Sequence, residues 1–426
     1  MYFQRKRRTA QPYFALKAEP TAMMAKPVAC LRFVPPWAYG RPMQKQKESY
    51  NTALLHALAQ PGTDAPADWL AHNDLDNAAV EWLRVRGLAP YAFYRLSKMH
   101  LIGQAAAEPR AVLRLAYYNE LGRALAREQE LRRVLVALAA AEITPILFKG
   151  AVLAYTAYPG PACRHMGDLD LWLTAEEMPR GQAALEALGY RQHVKDTRPP
   201  AFQERHLGEI QMIGAHPGSI LVEMHWSAFA GVWSDRVASV DHAAIRARAV
   251  PVTVAGQPAL APASEDAIIQ LAIHLAVSHQ MAAPGVRGLL DVALLARTQP
   301  VDWAVVADRA RAWRVGTAVW LMLQLTAELI GLTEAAPAVA RLTPDPVRRH
   351  LLARLVNAGS MLAMRDVSRG PLRFALLLLL VDRYRDAAAI VARAVWPEYD
   401  WLIARYGRAG LEVRFRHLSG VVRGQF

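Results

Sequence analysis

The chain has 426 residues, of which 53% are hydrophobic and 20% are charged. This composition excludes bulk disorder, and the length predicts two or three domains, or one core with a large helical accessory part. The two cysteines, Cys30 and Cys163, exclude a disulfide scaffold and a cysteine-rich zinc module. No apolar run approaches the roughly 18–20 residues that cross a bilayer, so we expect no membrane span.

The net charge of +13 is concentrated at the two ends of the chain. Residues 1–47 contain ten Lys or Arg and one acid, and residues 401–426 contain five Arg and one acid. Residues 48–400 carry 35 basic and 35 acidic side chains and are neutral. Because a nucleic-acid channel needs a basic field, this balance argues against nucleic acid as a partner.

The first 45 residues are basic, dotted with prolines and without periodicity. We predict that residues 1–45 form a disordered basic extension. The prolines would break the amphipathic helix of a transit peptide, and the continuous apolar core of a signal peptide is absent. The expected location is therefore the cytoplasm.

The hydrophobic period of the chain changes twice after this extension. Residues 46–142 have a helical pattern that ends in a long amphipathic helix at about 109–141. Residues 143–262 mix strand and helix patterns, and residues 263–426 are helical again. We predict an α+β protein, in which a small mixed β-sheet core is flanked by N-terminal and C-terminal helical regions.

Six segments of the central region have strand patterns. They are 144–148, 168–173, 190–194, 209–213, 220–226 and 250–254. A hairpin turn is predicted at 214–218, and Gly256 predicts a second hairpin at the sheet edge. Helices are predicted at 151–157 and 175–188, between the first strands.

Two carboxylates share one face of the second strand segment. Asp168 and Asp170 are two residues apart, so both side chains leave the same side of the strand, while Leu169 and Leu171 point into the core. Neighbouring carboxylates repel each other and resist burial, and a protein that keeps such a pair usually holds a divalent cation there. Mg²⁺ suits the pair because it binds few carboxylates together with waters and substrate phosphates.

A third acid, Glu223, lies on the later strand segment 220–226, on the same face as His225. If this strand neighbours the strand of the two aspartates, Glu223 completes a three-carboxylate site. Upstream, Lys149, Gly150 and Ala151 form a strand-to-helix turn. Glycine lets the backbone approach a ligand there, and a helix N-terminus favours phosphate.

The ordered set of strand, glycine turn, helix, paired aspartates and later acid resembles the polymerase-β-like nucleotidyltransferase superfamily. More narrowly, the chain resembles the bacterial uncharacterised nucleotidyltransferase family (NTP_transf_5 type) over about residues 48–410. The matching stretches are ILFKGAVLAYTAYPGPACRHMGDLDLWL at 146–173, ILVEMHWSAF at 220–229, EDAIIQLAIHLAVSH at 265–279 and VRGLLDVALLARTQPVDWAVV at 286–306.

This resemblance implies a metal-dependent transfer centre. Asp168 and Asp170 would hold two Mg²⁺ ions, with Mn²⁺ as an alternative, and these ions would bridge the triphosphate of an NTP such as ATP. Glu223 would hold the ion near the acceptor and help to deprotonate the acceptor hydroxyl. The products would be an acceptor that carries a nucleoside monophosphate, and pyrophosphate.

The resemblance also implies a nucleotide-binding set. Gly150 and Ala151 would seat the phosphates, and Lys149 or Arg164 would neutralise their charge. Packing roles compete with these assignments, because Lys149 could pair with an acid and Arg164 could anchor its loop.

Three further residues of the matching stretches have a favoured packing role. His225 is expected to be a hydrogen-bonded structural histidine. His274 and Asp291 match family positions on helices after the core, and contacts between the helical and catalytic parts are favoured there over nucleotide contact.

The leading hypothesis is an enzyme that transfers a nucleotidyl group from an NTP to a hydroxyl of a small molecule, peptide or protein. The alternative is a non-catalytic or antitoxin-like binding module of the same fold that holds a protein partner. A third hypothesis, nucleotide addition to RNA, needs a basic channel, and the neutral middle of the chain argues against it. The acceptor, the preferred base and the oligomeric state stay open.

Overall fold

The computed structural model of the chain describes residues 41–60, 62–193, 208–229, 231–282, 285–365, 367 and 370–422. Over these residues, helices lead into a mixed β-sheet and helices follow it, which confirms the predicted α+β class. Of the expected extension at 1–45, residues 1–40 lie outside the described part of the chain, and a helix begins at Arg41.

Five helices precede the sheet in the described residues. They are α1 (Arg41–Ala59), α2 (Ala65–His72), α3 (Asn77–Val85), α4 (Ala89–Lys98) and α5 (Ala107–Ala140). The 34 residues of α5 confirm the long helix predicted at 109–141. Leu113, Leu131 and Leu138 of its stripe are buried, whereas Leu125 is exposed. A helix of this length spans about 50 Å, so part of it extends past the core.

Seven strands of the described residues form one mixed sheet. They are β1 (Ile146–Leu147), β2 (Asp168–Trp172), β3 (Tyr190–Gln192), β4 (Glu209–Gly214), β5 (Leu221–His225), β6 (Val250–Val254) and β7 (Gln257–Ala261). Their spatial order is β3-β4-β5-β2-β1-β7-β6. Each predicted strand segment contains one of these strands, although Val194 of the 190–194 segment lies outside the described residues. The predicted hairpin at Gly256 is present, and its first strand, β6, is an edge of the sheet.

The pairing of β2 with β5 positions the acids. The two strands are parallel neighbours, with Asp170 opposite Glu223 and Asp168 opposite Leu221. This adjacency is the condition that the sequence left open for a three-carboxylate site. β4 and β5 pair in antiparallel fashion and form the hairpin predicted around 214–218. Residues opposite each other on neighbouring strands share a face, so Asp170 and Glu223 lie side by side.

Four helices of the central region are described. They are α6 (Gly150–Thr156), α7 (Met178–Ala187), α8 (Val232–Val237) and α9 (His242–Ala247). α7 begins three residues later than the helix predicted at 175–188, and Pro179 lies in its first turn. Proline is favoured in a first helical turn, because its missing N–H has no helical partner there in any case.

The described helices after the sheet build the largest part of the fold. They are α10 (Ser264–Ile273), α11 (Val286–Thr298), α12 (Trp303–Ala312), α13 (Gly316–Ile330), α14 (Ala336–Leu342), α15 (Pro346–Leu355), α16 (Ala358–Leu362), α17 (Gly370–Leu379), α18 (Tyr384–Val395), α19 (Tyr399–Tyr406) and α20 (Leu411–Val422). α10 continues into a π-helical turn, His274–Ser278. None of the helices in the described ranges is both long enough and apolar enough to span a bilayer.

One hydrophobic core connects these parts, with buried residues from Leu54 to Leu380. The central strands contribute fully buried side chains to it, including Leu169 and Leu171 of β2. A smaller cluster around Trp401 and Leu402 joins the last helices. The domain boundaries at 142 and 262 stay predictions.

Candidate active site

β2 carries its two acids on the side opposite its buried leucines. Asp170 is 1% exposed, whereas Asp168 is partly exposed at the start of the strand. The carboxylate of Asp168 forms no hydrogen bond or ion pair with any residue in the described ranges. Burial and, after it, the negative charge of Asp170 raise the pKa of Asp168. Burial and the charge of Asp170 therefore outweigh the nearby positive charges of Lys149 and Arg164, which would favour ionised Asp168.

Asp170 is held by two cationic or potentially cationic side chains. Lys149 Nζ donates to Asp170 Oδ1 at 2.5 Å, and His225 Nε2 lies 3.1 Å from the same oxygen. Burial opposes ionisation of Asp170, but the charge of Lys149 and the hydrogen bond of His225 outweigh it and hold the pKa of Asp170 well below its usual range. Asp170 is therefore ionised at neutral pH.

Glu223 lies between Asp170 and the neighbouring strand β4. Its Oε1 accepts a hydrogen bond of 2.6 Å from Gln211 Nε2, and its Oε2 lies 3.7 Å from His225 Nε2. Burial, the charge of Asp170 and the charge of Glu209 raise the pKa of Glu223 to about 7. Glu223 therefore changes its protonation state near neutral pH.

Asp170, Glu223 and His225 can each present one ligand atom, and these atoms lie within 4.8 Å of one another. Of the three acids predicted for the metal site, the structure brings Asp170 and Glu223 into this group together with His225. Asp168 is not part of it and lies two residues before Asp170 on the same strand. Glu209 adds negative charge beside Glu223, and all three acids act on Lys149, so the crowded negative charge fits a divalent cation, for which Lys149 Nζ is the present counter-ion.

His225 is the functional candidate that sequence reasoning placed among the structural residues. It is 2% exposed, and its Nδ1 lies 3.5 Å from Glu209 Oε2 while its Nε2 faces Asp170. Its ring packs on Phe148, with the centroids 5.0 Å apart. The signal in the sequence was its position two residues after Glu223, on the same face of β5.

Lys149 connects the glycine turn with the acids. It lies between β1 and α6 with φ 55° and ψ −132°, a conformation that side-chain-bearing residues rarely adopt. Burial opposes the charge of Lys149, but the carboxylates of Asp170 and Glu223 outweigh it and raise the pKa of Lys149. Of the two roles considered from the sequence, the structure records the pairing with an acid. Strained backbone of this kind is concentrated at functional sites.

Arg164 is paired with Asp291 of α11. Its Nη2 donates to Asp291 Oδ2 at 2.8 Å and its Nε donates to Asp291 Oδ1 at 3.2 Å, while Tyr158 donates to Oδ1 at 2.7 Å. The remaining Nη1 donates to the carbonyl of His165. These contacts connect the loop before β2 with the helical part, as favoured for Asp291 from the sequence.

Gly150 and Ala151 begin α6 in a tightly filled environment. Ala151 is fully buried. A Cβ on Gly150 would lie 2.8 Å from Arg164 Nη1 and 2.8 Å from Met166 Cγ. The missing side chain of Gly150 therefore makes room for Arg164. This role is separate from the predicted approach of a ligand to the backbone.

Gly150→Ala is expected to lower the free energy of unfolding by about 1–3 kcal/mol, because the added methyl group overpacks the space that Arg164 and Met166 fill. Chemical denaturation measures the effect. Gly122→Ala on α5 is the matched control, since nothing lies within 4 Å of the position of its Cβ. The control is expected to be neutral or stabilising by up to about 1 kcal/mol. Equal stability of the two variants would contradict the overpacking.

Glu223→Gln is expected to stabilise the metal-free protein at pH 8 by on the order of 1–3 kcal/mol. The pKa of Glu223 is about 7 in the folded protein against an ordinary 4.5, so Glu223 adds stability below pH 4.5, and this contribution is lost as the pH rises through 7. Glutamine removes the ionisation and keeps the oxygen that accepts from Gln211. Urea unfolding in a chelator at pH 4.5 and pH 8 measures the difference, and a variant that is less stable than the parent at pH 8 would contradict the assignment.

A mixed sheet with acids on neighbouring parallel strands, beside a strand–turn–helix that carries a lysine, has the arrangement that the sequence led us to expect of a nucleotidyltransferase. The family model described as "Uncharacterised nucleotidyltransferase" matches residues 74–331, and the chain belongs to this family. The matched region runs from the start of α3 to the end of α13 and contains the whole sheet. No curated protein and no solved structure gives a significant match to the chain.

Proposed function

We propose that the chain is a divalent-cation-dependent enzyme that moves a nucleoside monophosphate from an NTP to a hydroxyl of a small-molecule, peptide or protein acceptor and releases pyrophosphate. The pairing of Asp170 with Glu223 across β2 and β5, with Asp168 beside them, is the observation that carries this proposal. Membership of a nucleotidyltransferase family supports the reaction class.

Asp168, Asp170 and Glu223 would hold Mg²⁺, and two ions in such a site stabilise both the attacking and the leaving oxygen of an in-line displacement. The donor set fits this use, because carboxylate oxygens are the ligands that Mg²⁺ prefers. His225 adds a nitrogen donor within reach, and imidazole suits first-row transition metals better than it suits Mg²⁺. Mn²⁺ is therefore expected to support the reaction as well.

Glu223 is the group of this chain that is best suited to receive the proton of the acceptor hydroxyl. The pKa of Glu223 is about 7 in the ion-free site, and a bound cation would lower it, so the carboxylate would be ionised and able to accept a proton. Gln211 holds Oε1, so Oε2 is the oxygen that would take the proton. Asp170, whose pKa is held low, stays ionised and serves charge stabilisation.

Lys149, Gly150 and Ala151 are proposed to meet the phosphates of the nucleotide. Lys149 Nζ is the cation nearest to the acids, and its long side chain can exchange a carboxylate for a phosphate oxygen as partner. For Arg164, the two contacts with Asp291 favour positioning of the loop, with phosphate contact limited to its remaining donor atoms.

A transfer assay tests this function. The protein is incubated with each α-³²P-labelled NTP, Mg²⁺ or Mn²⁺, and fractionated cell extract or an acceptor library. We expect label in an acceptor together with released pyrophosphate, and loss of both in a chelator. Absence of NTP binding and of transfer with every NTP, together with recovery of a tight protein partner, would contradict the enzyme and support the binding-module alternative.

A further inference from the structure

A cavity of about 1070 Å³ lies outside the acidic cluster. Its walls come from the α3–α4 connection, the middle of α5, the segment between the π-helical turn and α11, and from α16 and α17. No residue predicted to hold the metal or the nucleotide is among its described lining residues. The charged side chains of the lining are Arg84, Arg86, Arg123, Arg287, Arg373 and Glu120.

Glu120 is the one acid among the described lining residues, and its carboxylate already has partners. Glu120 pairs with Arg127, which does not line the cavity, and with His165 Nδ1 at 3.0 Å. Arg84 pairs at the surface with Glu81, through Nε at 2.6 Å. Arg123 pairs with the same Glu120, through Nη1 at 3.7 Å. Because one acid faces several arginines, the described lining of the cavity keeps an excess of positive charge.

Arg86 and Arg287 have no carboxylate partner among the residues that the structure describes. Arg86 donates to the backbone carbonyls of Trp82 and Leu362, and its guanidinium stacks at 4.2 Å over the ring of Trp82. The Nε atoms of both arginines are buried without a hydrogen-bond partner in this part of the chain. Both side chains are half-buried, so their charges are partly desolvated without an ion-pair partner, and a bound anion would remove part of that cost.

Arg287 approaches the backbone of Gly87, the residue that follows Arg86 in the chain. Arg287 Nη1 lies 2.9 Å from the position that a Cβ on Gly87 would take. Gly87 has a φ of 67°, which favours glycine at this position. Burial lowers the pKa of Arg86 to about 10, and burial together with the charge of Arg164 lowers the pKa of Arg287. Both shifts have the sign expected for cations that are desolvated.

The cavity borders the acidic cluster through two histidines. His165 follows Arg164 in the loop before β2, and His279 contacts His274 with 3.0 Å between their Nε2 atoms. Burial and the charge of Lys149 lower the pKa of both His274 and His279. The segment after the π-helical turn also contains Gln280 and Met281 with positive φ, and such irregular helix turns are frequent at functional sites.

We propose that this cavity is the acceptor site and that the acceptor is an organic anion with an apolar body, its carboxylate or phosphate held by arginines of the lining, Arg287 and Arg86. The assignment of the cavity to the acceptor rests on the proposed transfer function. Apolar side chains complete the lining, among them Val112, Met281 and Val286, and the volume is that of a small-molecule site. A transfer reaction needs a second binding place next to the nucleotide, and this cavity shares no described residue with the nucleotide set.

Calorimetric titration without nucleotide or metal tests the inference. The probes are phenyl phosphate and phenylacetate, which separate the two sources of negative charge, and benzyl alcohol as the neutral match. We expect at least one of the two anions to bind and benzyl alcohol to bind at least tenfold more weakly. Arg287→Gln and Arg86→Gln are each expected to weaken anion binding at least tenfold. Arg349→Gln, an exposed arginine of α15, is the matched control and is expected to change nothing.

Three outcomes would overturn the inference: no binding of either anion at millimolar concentration, equal loss in Arg349→Gln, or a loss of NTP affinity in Arg287→Gln that equals its loss of anion affinity. The last result would assign the cavity to the nucleotide. Unfolding curves accompany each titration; Arg287→Gln is expected to leave stability unchanged or higher, whereas Arg86→Gln also removes the hydrogen bonds to the carbonyls of Trp82 and Leu362 and is expected to lower it. Asp168→Asn separates this inference from the proposed function, because it is expected to stop transfer and to leave anion binding intact.

Discussion

Asp168→Asn and Asp170→Asn are each expected to lower the rate of nucleotidyl transfer by about a thousandfold or more, with the NTP still bound. The loss reflects several kcal/mol of charge stabilisation that the metal-holding carboxylates provide in the transition state. Single-turnover transfer from labelled NTP measures it. Asp308→Asn, an exposed acid of α12 that pairs with Arg341, is the matched control and is expected to keep the parental rate.

The two variants are expected to differ in stability although both are inactive. Asp168 has no partner in the described ranges and a raised pKa, so its replacement relieves repulsion and leaves the fold intact. Asp170→Asn leaves the ammonium of Lys149 buried without its counter-ion and is expected to cost about 3–5 kcal/mol. An active Asp168→Asn variant, or an Asp170→Asn variant as stable as the parent, would contradict this account of the site.

Asp291→Ala is expected to lower the free energy of unfolding by about 3–5 kcal/mol, because it leaves the guanidinium of Arg164 buried without its bidentate partner. Tyr158→Phe removes one hydrogen bond to the same carboxylate and is expected to cost about 1–2 kcal/mol. Urea unfolding of both variants at neutral pH measures the two costs.

The Asp291→Ala, Arg164→Met double variant is the control for the ion pair. Removing both charges avoids the buried unpaired cation, so the double variant is expected to be more stable than Asp291→Ala alone. If Arg164 acts mainly by positioning its loop, the double variant loses transfer activity through a misplaced β2, with NTP affinity largely kept. A double variant that is less stable than Asp291→Ala would show that the pair is not the source of the effect.

The elements that place the acids could be predicted from the sequence, because they depend on local patterns. Alternation of acid and leucine at 168–171 fixes a strand with both aspartates on one face, and β2 has this form. Glu223 was placed on a second strand by the same rule, with its position next to Asp170 left as a condition. β2 and β5 are parallel neighbours, and only this long-range pairing could satisfy the condition.

The contacts that the sequence missed depend on segments that are distant along the chain. His225 was read as structural because nothing local reports that its Nε2 reaches Asp170. For Lys149, both pairing with an acid and phosphate contact were open, and its positive φ is unusual for a lysine. The cavity could not be predicted from the sequence for the same reason, since only the packing of distant helices makes Arg86 and Arg287 line one cavity.

The central claim is that Asp168, Asp170 and Glu223 form a divalent-cation site, and anomalous diffraction from crystals grown with Mn²⁺ and a non-hydrolysable NTP analogue tests it most directly. The account predicts an anomalous peak at coordination distance from carboxylate oxygens of both Asp170 and Glu223, with Lys149 Nζ turned from Asp170 towards the phosphates. A map without a peak there, in which Lys149 stays on Asp170 and the analogue binds elsewhere, would contradict it.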